Sequence, residues 1–357
     1  MTEILIVGGG VMGASVAYHL ALAGCSGVHV LDRGDGPGSG STGRATGGFR
    51  AQFGTAIHVR LSLLSRSKLQ RFREETGGDA GYIPAGYLWL ASGETDLAAL
   101  RSAQAVQHGE GLREAVEVTP REIASLNPAI ARDGLLGGVY CPSDGFLSPT
   151  GLLHGYVHAA TRLGVRFLWG EDVRALDGDA AITSSGRHPA GAFVNAAGAW
   201  AATLADVPVT PLRRQVAATV PTGVLPPTMP MTIFTDDGFH LRVRDGRVLL
   251  LRPSPGNSNP FDASVDPSWV ASVTAEAHTR VPVLRDVPVD PGACWAGLYE
   301  MSPDRHALLG RAPGSSNLYL INGASGHGVM HAPALGQLLA EIILQGKAST
   351  LDVRALR

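Results

Sequence analysis

Hydrophobic residues open the chain as an unbroken run, Ile4-Leu5-Ile6-Val7. With no polar position between them, they predict a short strand covered on both faces. The period then lengthens. Val16, Leu20 and Ala23 share one side of a helix predicted over 12–23, which Gly24 ends, and 28–31 predicts a second strand. Leu61, Leu64, Leu69 and Phe72 fall near helical spacing in a long pattern over 56–75. A strand at 86–90 precedes a helix at 94–109 and a short helix at 120–126, with Thr119 as its N-cap. The segment GGVYCPSDGFLSP (137–149) reads as turns; a helix over 150–163 and strands at 165–169 and 193–197 follow, the last ending at Gly198. Short β-rich runs at 216–220, 239–243 and 248–251, split by Pro and Gly, dominate 209–290 and predict an antiparallel sheet. A strand at 318–321 and a helix over 333–344 complete the pattern.

The order of these elements predicts an α/β (α+β) fold with two interleaved units. A Rossmann-like nucleotide-binding domain would be built from 1–80, 150–205 and 295–357. A substrate domain with an antiparallel sheet would come from 81–149 and 206–294.

Composition narrows the class. Of 357 residues, 45% are hydrophobic and 17% charged, which excludes a disordered chain. The formal net charge of −2 gives no reason to expect nucleic acid or an acidic membrane as a partner. No apolar run reaches the roughly 20 residues of a membrane span. Lys68 and Lys347 are the only lysines, and Cys25, Cys141 and Cys294 are widely spaced without a C-x-x-C. With a strand beginning almost at Met1 and no space for a signal peptide, the expected location is the cytoplasm.

The first candidate chemistry lies between the first two strands. Gly8, Gly10 and Gly13 form G-x-G-x-x-G at the start of the helix, and Asp32 ends the second strand. The glycines allow a tight turn, close approach to a pyrophosphate and close helix–strand packing, while the acid can accept from ribose hydroxyls. The chain then runs through Arg33 directly into GSGSTGRATGGFR (38–50), and further glycine clusters stand at 195–200 and 322–328. One site assembled from such distant segments suits FAD, extended along its whole length, better than NAD.

Five stretches carry a resemblance over essentially the full chain: the N-terminal fingerprint, GSGSTGRATGGFRAQF (38–53), VNAAGAWA (194–201), AGLYEMSPDRHALLG (296–310) and INGASGHGVMHAPALGQLLAEII (321–343). The chain resembles the FAD-dependent amine and amino-acid oxidoreductases of the D-amino-acid oxidase and sarcosine oxidase superfamily, whose FAD domain is glutathione-reductase-like. It is most similar to the β subunits of sarcosine oxidases and dye-linked amino-acid dehydrogenases. The resemblance implies that Ser41, Thr42, Arg44, Ala45, Thr46, Gly47 and Gly48 line the flavin, with Arg50 facing substrate. It also implies that the backbone of Gly326, His327, Gly328, Val329 and Met330 runs along the ring edge and ribityl chain before the last helix, and that Val173 meets the adenine. Val11, Met12, Arg33, Ala197, Gly198, Trp200, Gly297 and Gly323 complete the expected cofactor contacts. Some members attach flavin through a cysteine where Gly297 stands, and no histidine lies in 38–50, so non-covalent FAD is expected.

The implied reaction oxidises the CH–NH bond of a small amino acid or N-methyl amino acid, such as a D-amino acid, sarcosine, glycine or proline. A hydride passes to flavin N5, the imine hydrolyses, and oxygen or another acceptor reoxidises the flavin. Arg50 suits the substrate carboxylate because a guanidinium can grip it with two parallel hydrogen bonds; a structural salt bridge is the alternative. Tyr299 could orient substrate or simply pack, and Gln52 and His240 are further substrate-binding candidates. His327 and His331 stand four apart, but no third ligand accompanies them, so His327 is read as part of the flavin-facing loop and a catalytic candidate rather than a metal ligand. Asp304 is a candidate catalytic acid, though as a carboxylate after Pro303 it reads first as a turn cap. The alternatives are an FAD-binding assembly subunit of a hetero-oligomeric dehydrogenase, or an FAD enzyme of a larger amine. A homo- or hetero-oligomer is compatible with either.

Overall fold

Strand Ile4–Val7 pairs in parallel with Val28–Asp32 on one side and Ala192–Asn195 on the other. Arg166–Trp169 and Leu318–Asn322 extend this sheet in parallel, and the edge strand Leu308–Arg311 closes it antiparallel. The computed structural model describes residues 3–254, 256 and 258–356. Strand alternation explains the unbroken apolar run. Ile4, Ile6, Val28 and Val30 enter one core with the helices, whereas Leu5, Val7, Leu31 and Phe193 pack with Ala181 and Leu176 on the other face. The helix side consists of Val11–Leu22 packed between Gly328–Gln345 and Pro149–Arg162. The other face is covered by a small antiparallel sheet, Ala175–Asp177, Ala180–Thr183 and Gly186–Pro189. The fully buried aliphatic side chains among them contribute about 1.5–3 kcal/mol each.

A second, eight-stranded sheet positions the site. Its strand order is Trp295–Met301, Thr210–Ala218, Arg247–Leu251, His240–Arg244, Met231–Phe234, Tyr87–Ala91, Gly137–Cys141 and Val116–Val118. All pairs are antiparallel except Met231–Phe234 with Tyr87–Ala91. The back face buries Leu88, Leu241, Val243, Val248 and Leu250 against Trp269, Val273 and Ala277 of helix Pro267–Arg280. Register places Val216, Leu251, His240, Ile233 and Trp89 in one row across the front face. That face looks into a cavity.

Several expected elements differ. The helix expected over 56–75 is two, Ala56–Gln70 and Phe72–Thr76; the break at Arg71 puts the buried Phe72 ring 5.0 Å from Tyr156. The turn-rich 137–149 contains strands Gly137–Cys141 and Gly145–Phe146, because Gly138 serves close strand approach to the Trp89 carbonyl rather than a turn. Helix Pro267–Arg280 lies inside the stretch read as β. The last helix begins at Gly328, not near Pro333, so Val329 and Met330 belong to its first turn and Pro333 sits inside it. Strand Trp295–Met301, expected with the nucleotide unit, pairs along Thr210–Val216 in the large sheet. Among the described residues no helix is long and apolar enough to cross a membrane.

Candidate active site

One cavity of about 1330 Å³ runs between the two sheets. At its nucleotide end stand Gly8, Gly10, Val11, Met12, Asp32, Arg33, Val173, Ala197, Gly198 and Trp200. Gly8 has a φ of +108°, a conformation that favours glycine, and a β-carbon there would collide with the Ala196 carbonyl. Gly13 does not line the cavity. It lets the helix press against the carbonyl of Gly8, where any side chain would clash.

Asp32 braces this end as well as facing it. Its Oδ2 accepts from the Gly9 N–H at 2.7 Å and its Oδ1 from the Gly34 N–H at 2.7 Å. The Val11 N–H of the helix's first turn donates to Thr42 Oγ1 at 3.1 Å, so the glycine-rich segment is tied to the nucleotide helix. The guanidinium of Arg33 lies 3.6 Å from the Trp200 ring centroid, and Trp169 packs over Gly9.

The segment 38–50 passes between this end and the large sheet, and the sheet holds it by its backbone. Arg242 Nη1 donates to the Thr46 carbonyl at 2.6 Å, Arg244 Nη1 to Ala45 at 3.0 Å, and the Trp295 indole N–H to Arg44 at 2.8 Å. Ser41 Oγ donates to the Leu298 carbonyl and Arg44 Nη1 to the Ala296 carbonyl. Burial lowers Arg242 to about 10. A flexible linker would show none of this. Ser41, Thr42, Arg44, Ala45, Thr46, Gly47 and Gly48 all line the cavity.

At the sheet end the lining is side chains: Arg50, Tyr87, Trp89, Arg214, Met231, Ile233, His240, Leu251 and Tyr299. Arg50 Nη1 donates to the Gln52 carbonyl at 2.5 Å, and Nη2 lies 3.2 Å from His327 Nε2. Its guanidinium sits 3.8 Å from the Phe53 ring centroid and 5.2 Å from that of Trp89. Among the described residues no carboxylate forms an ion pair with it, and burial lowers its pKa. Beneath it, buried Asp144 accepts from the Ala51 N–H at 2.7 Å and the Gln52 N–H at 3.3 Å, while burial raises its own value to about 6.

His327 and His240 are both held neutral. Burial, then the charge of Arg50, keeps His327 well below its ordinary value, and its Nε2 accepts from Arg50. Burial also lowers His240, whose Nδ1–H donates to the Gly238 carbonyl at 2.8 Å, leaving Nε2 as an open acceptor. Tyr299 is 37% exposed, so its ring is accessible from the cavity. Beside it, Ser325 has a φ of +51°, strained backbone in the loop that carries Gly326 and His327.

Two expected contacts lie elsewhere. Gln52 is buried off the cavity and donates from Nε2 to the Tyr87 carbonyl at 3.0 Å, bracing the sheet. Gly323 packs against Ser302 and Leu308, away from the lining. Gly297, Gly326, His327, Gly328, Val329 and Met330 do line the cavity; Cys294 does not. His331 is buried beside Ser62 Oγ at 2.8 Å, and Asp304 accepts from the His306 N–H as a turn cap. Among the described residues no group of three or more His, Cys, Asp or Glu could hold a metal ion. Asp144, Arg214, Trp89 and Glu300 also bear on the site, and no local sequence pattern marks them.

The cradle fits an extended dinucleotide cofactor. Residues 3–342 match the DAO family, described as FAD dependent oxidoreductase. The chain is similar to a glycine oxidase of Geobacillus kaustophilus (strain HTA426), 29% identical over 371 residues that cover 98% of this chain and 95% of that protein. It is 28% identical over 373 residues to the mitochondrial sarcosine dehydrogenase of Homo sapiens, covering 97% of this chain and 40% of that one. Among solved structures, an L-proline dehydrogenase from P. horikoshii superposes with a TM-score of 0.91 at 26% identity, over 99% of this chain and 96% of that one.

Proposed function

The chain belongs to the DAO family of FAD-dependent oxidoreductases, and from that premise we propose that it oxidises the CH–NH bond of a small amino acid or N-methyl amino acid. The observation that carries this reading is Arg50: a half-buried guanidinium that lines the cavity with no carboxylate paired to it among the described residues. Leaving a desolvated charge unpaired is costly, and a substrate carboxylate would relieve it. The relatives named for glycine, sarcosine and proline support the same class.

Bound FAD would supply the two-electron acceptor. The glycine-rich walls, Asp32 and the Arg33–Trp200 stack would hold it, without a covalent bond because Gly297 offers no nucleophile. Arg50 would fix the carboxylate and thereby the position of the carbon to be oxidised, which is where most of the rate arises. The amine must be neutral before oxidation, and the open Nε2 of His240, itself held neutral, would accept a hydrogen bond from that amine and orient it. His327, whose Nε2 already accepts from Arg50, would keep that guanidinium aimed. Tyr299, on the edge strand of the large sheet, would orient the substrate. Front-face row positions Ile233, Leu251 and Trp89 would exclude water. Anaerobic addition of glycine, sarcosine, proline and D-amino acids to the yellow protein tests this: at least one should bleach the flavin, and bleaching by none would overturn it.

A further inference from the structure

Arg50 is not alone at the sheet end. Arg214 pairs with Gly297 across strands Thr210–Ala218 and Trp295–Met301, which turns its side chain to the same front face as Val216 and His240. It lines the cavity, its Nη1 donates to the Ser254 carbonyl at 2.9 Å, and its guanidinium lies 5.7 Å from the Tyr299 ring centroid. Among the described residues it pairs with no carboxylate, whereas its neighbour Arg213 reaches Asp262 at 3.5 Å. Arg242 and Arg244, on the same face, are occupied by the carbonyls of Thr46 and Ala45 and do not line the cavity.

The two unpaired arginines approach from opposite sides of His240. Arg50 lies by Trp89, whose strand is two places from that of His240; the strand of Arg214 is two places away in the other direction. At about 4.8 Å per strand, the strands of Trp89 and Arg214 lie about 19 Å apart. Side chains reaching inward from these two sides can meet two groups of one ligand. Both charges also act on His240 and Tyr299. Among the described residues neither arginine forms an ion pair with an acidic side chain; Asp144 acts on Arg50 only from a distance, and Glu300 follows Tyr299 and by strand alternation turns the other way, toward Ala324.

Resting on the assignment of Arg50 above, we infer that the preferred substrate is an amino acid with two carboxylates, one held by Arg50 and the second by Arg214. Candidates by chemistry are aspartate, glutamate and N-carboxymethyl amino acids such as iminodiacetate.

The test compares anaerobic flavin bleaching by these diacids with that by glycine and sarcosine, in the parent protein and in Arg214→Gln and Arg214→Lys. The expected result is half-saturation by a diacid at a concentration about tenfold to a hundredfold lower than by the monoacids. Arg214→Gln should raise diacid half-saturation about tenfold or more beyond any rise for the monoacids, erasing the advantage, and Arg214→Lys should restore part of it. Equal weakening of monoacids and diacids would overturn the inference, since Arg214 would then share the first carboxylate. No diacid preference in the parent would overturn it too, with the amino-acid reading intact. Absence of bleaching by every compound would remove that reading itself, a separate result.

Discussion

The nucleotide end and the sheet end of the cavity are built on opposite principles. At the nucleotide end the walls are backbone: Gly8, Gly10 and the 38–48 segment present main chain, and Asp32 and Thr42 hold it in place. At the sheet end the walls are side chains, Arg50, Trp89, Arg214, His240 and Tyr299, drawn from separate strands and a loop. A backbone wall tolerates no added atoms and gives a fixed shape. A wall of side chains can exchange one group for another on an unchanged scaffold. On the proposed reading, one end retains the cofactor and the other selects the substrate.

The largest break in that division should come from Gly13→Val. The new side chain collides with the Gly8 carbonyl, costing about 3 kcal/mol, and the protein should be recovered colourless. Thermal unfolding with and without added FAD measures the loss; a yellow, stable variant would contradict the role of close packing there.

Next in size is Asp144→Ala at the sheet end. Removing this buried carboxylate strands the Ala51 and Gln52 N–H groups, at a cost of about 2–4 kcal/mol. Chemical denaturation should show the loss, and substrate half-saturation should rise while the FAD spectrum persists. Retained stability would show that those amides find other partners.

A pH dependence follows from Glu300, which lines the cavity between the two ends. Burial raises its carboxyl from 4.5 to about 7, so the folded protein favours the neutral form. The sign is then fixed: its contribution is fully present below pH 4.5 and is lost as pH rises through 7, on the order of 3 kcal/mol. Unfolding of the FAD-free protein at pH 5 and pH 8, with Glu300→Gln in parallel, isolates this group. The variant should flatten part of the alkaline decline, and an identical decline in both would count against it.

The smallest effect belongs to Arg33→Ala. It removes a cation–π contact on Trp200 worth about 0.5–1 kcal/mol at an exposed site. FAD titration by fluorescence should show a weakening of about twofold to fivefold, with substrate half-saturation unmoved.

How far each end was legible follows from the same contrast. Gly8, Gly10, Gly13 and Asp32 sit within one βαβ unit, so their spacing reports their geometry directly. The segment 38–50 was legible through composition and resemblance, but not through the arginines that clamp it, because Arg242 and Arg244 are far away in sequence. Arg214 and Trp89 reach the cavity only because strand register puts them on the front face, and no local pattern carries register between distant strands. Asp144 lay in a stretch read as turns, and its partners are backbone amides, which leave no trace in side-chain pattern. Helix Pro267–Arg280 did have a signal: Asp266 as N-cap, Pro267 after it, and Trp269, Val273 and Ala277 four apart. Neighbouring β-rich runs outweighed it. Gln52 was misplaced because position along a loop does not show which way a side chain turns.

The central claim is that Arg50 serves the substrate rather than the cofactor, and one measurement tests it most directly. Arg50→Ala protein should be purified and its flavin spectrum titrated anaerobically with the substrate that bleaches the parent. The expected result is an unchanged oxidised FAD spectrum and stoichiometry, with half-saturation raised about a hundredfold. Loss of FAD from the variant, or bleaching at the parent's substrate concentration, would contradict the account.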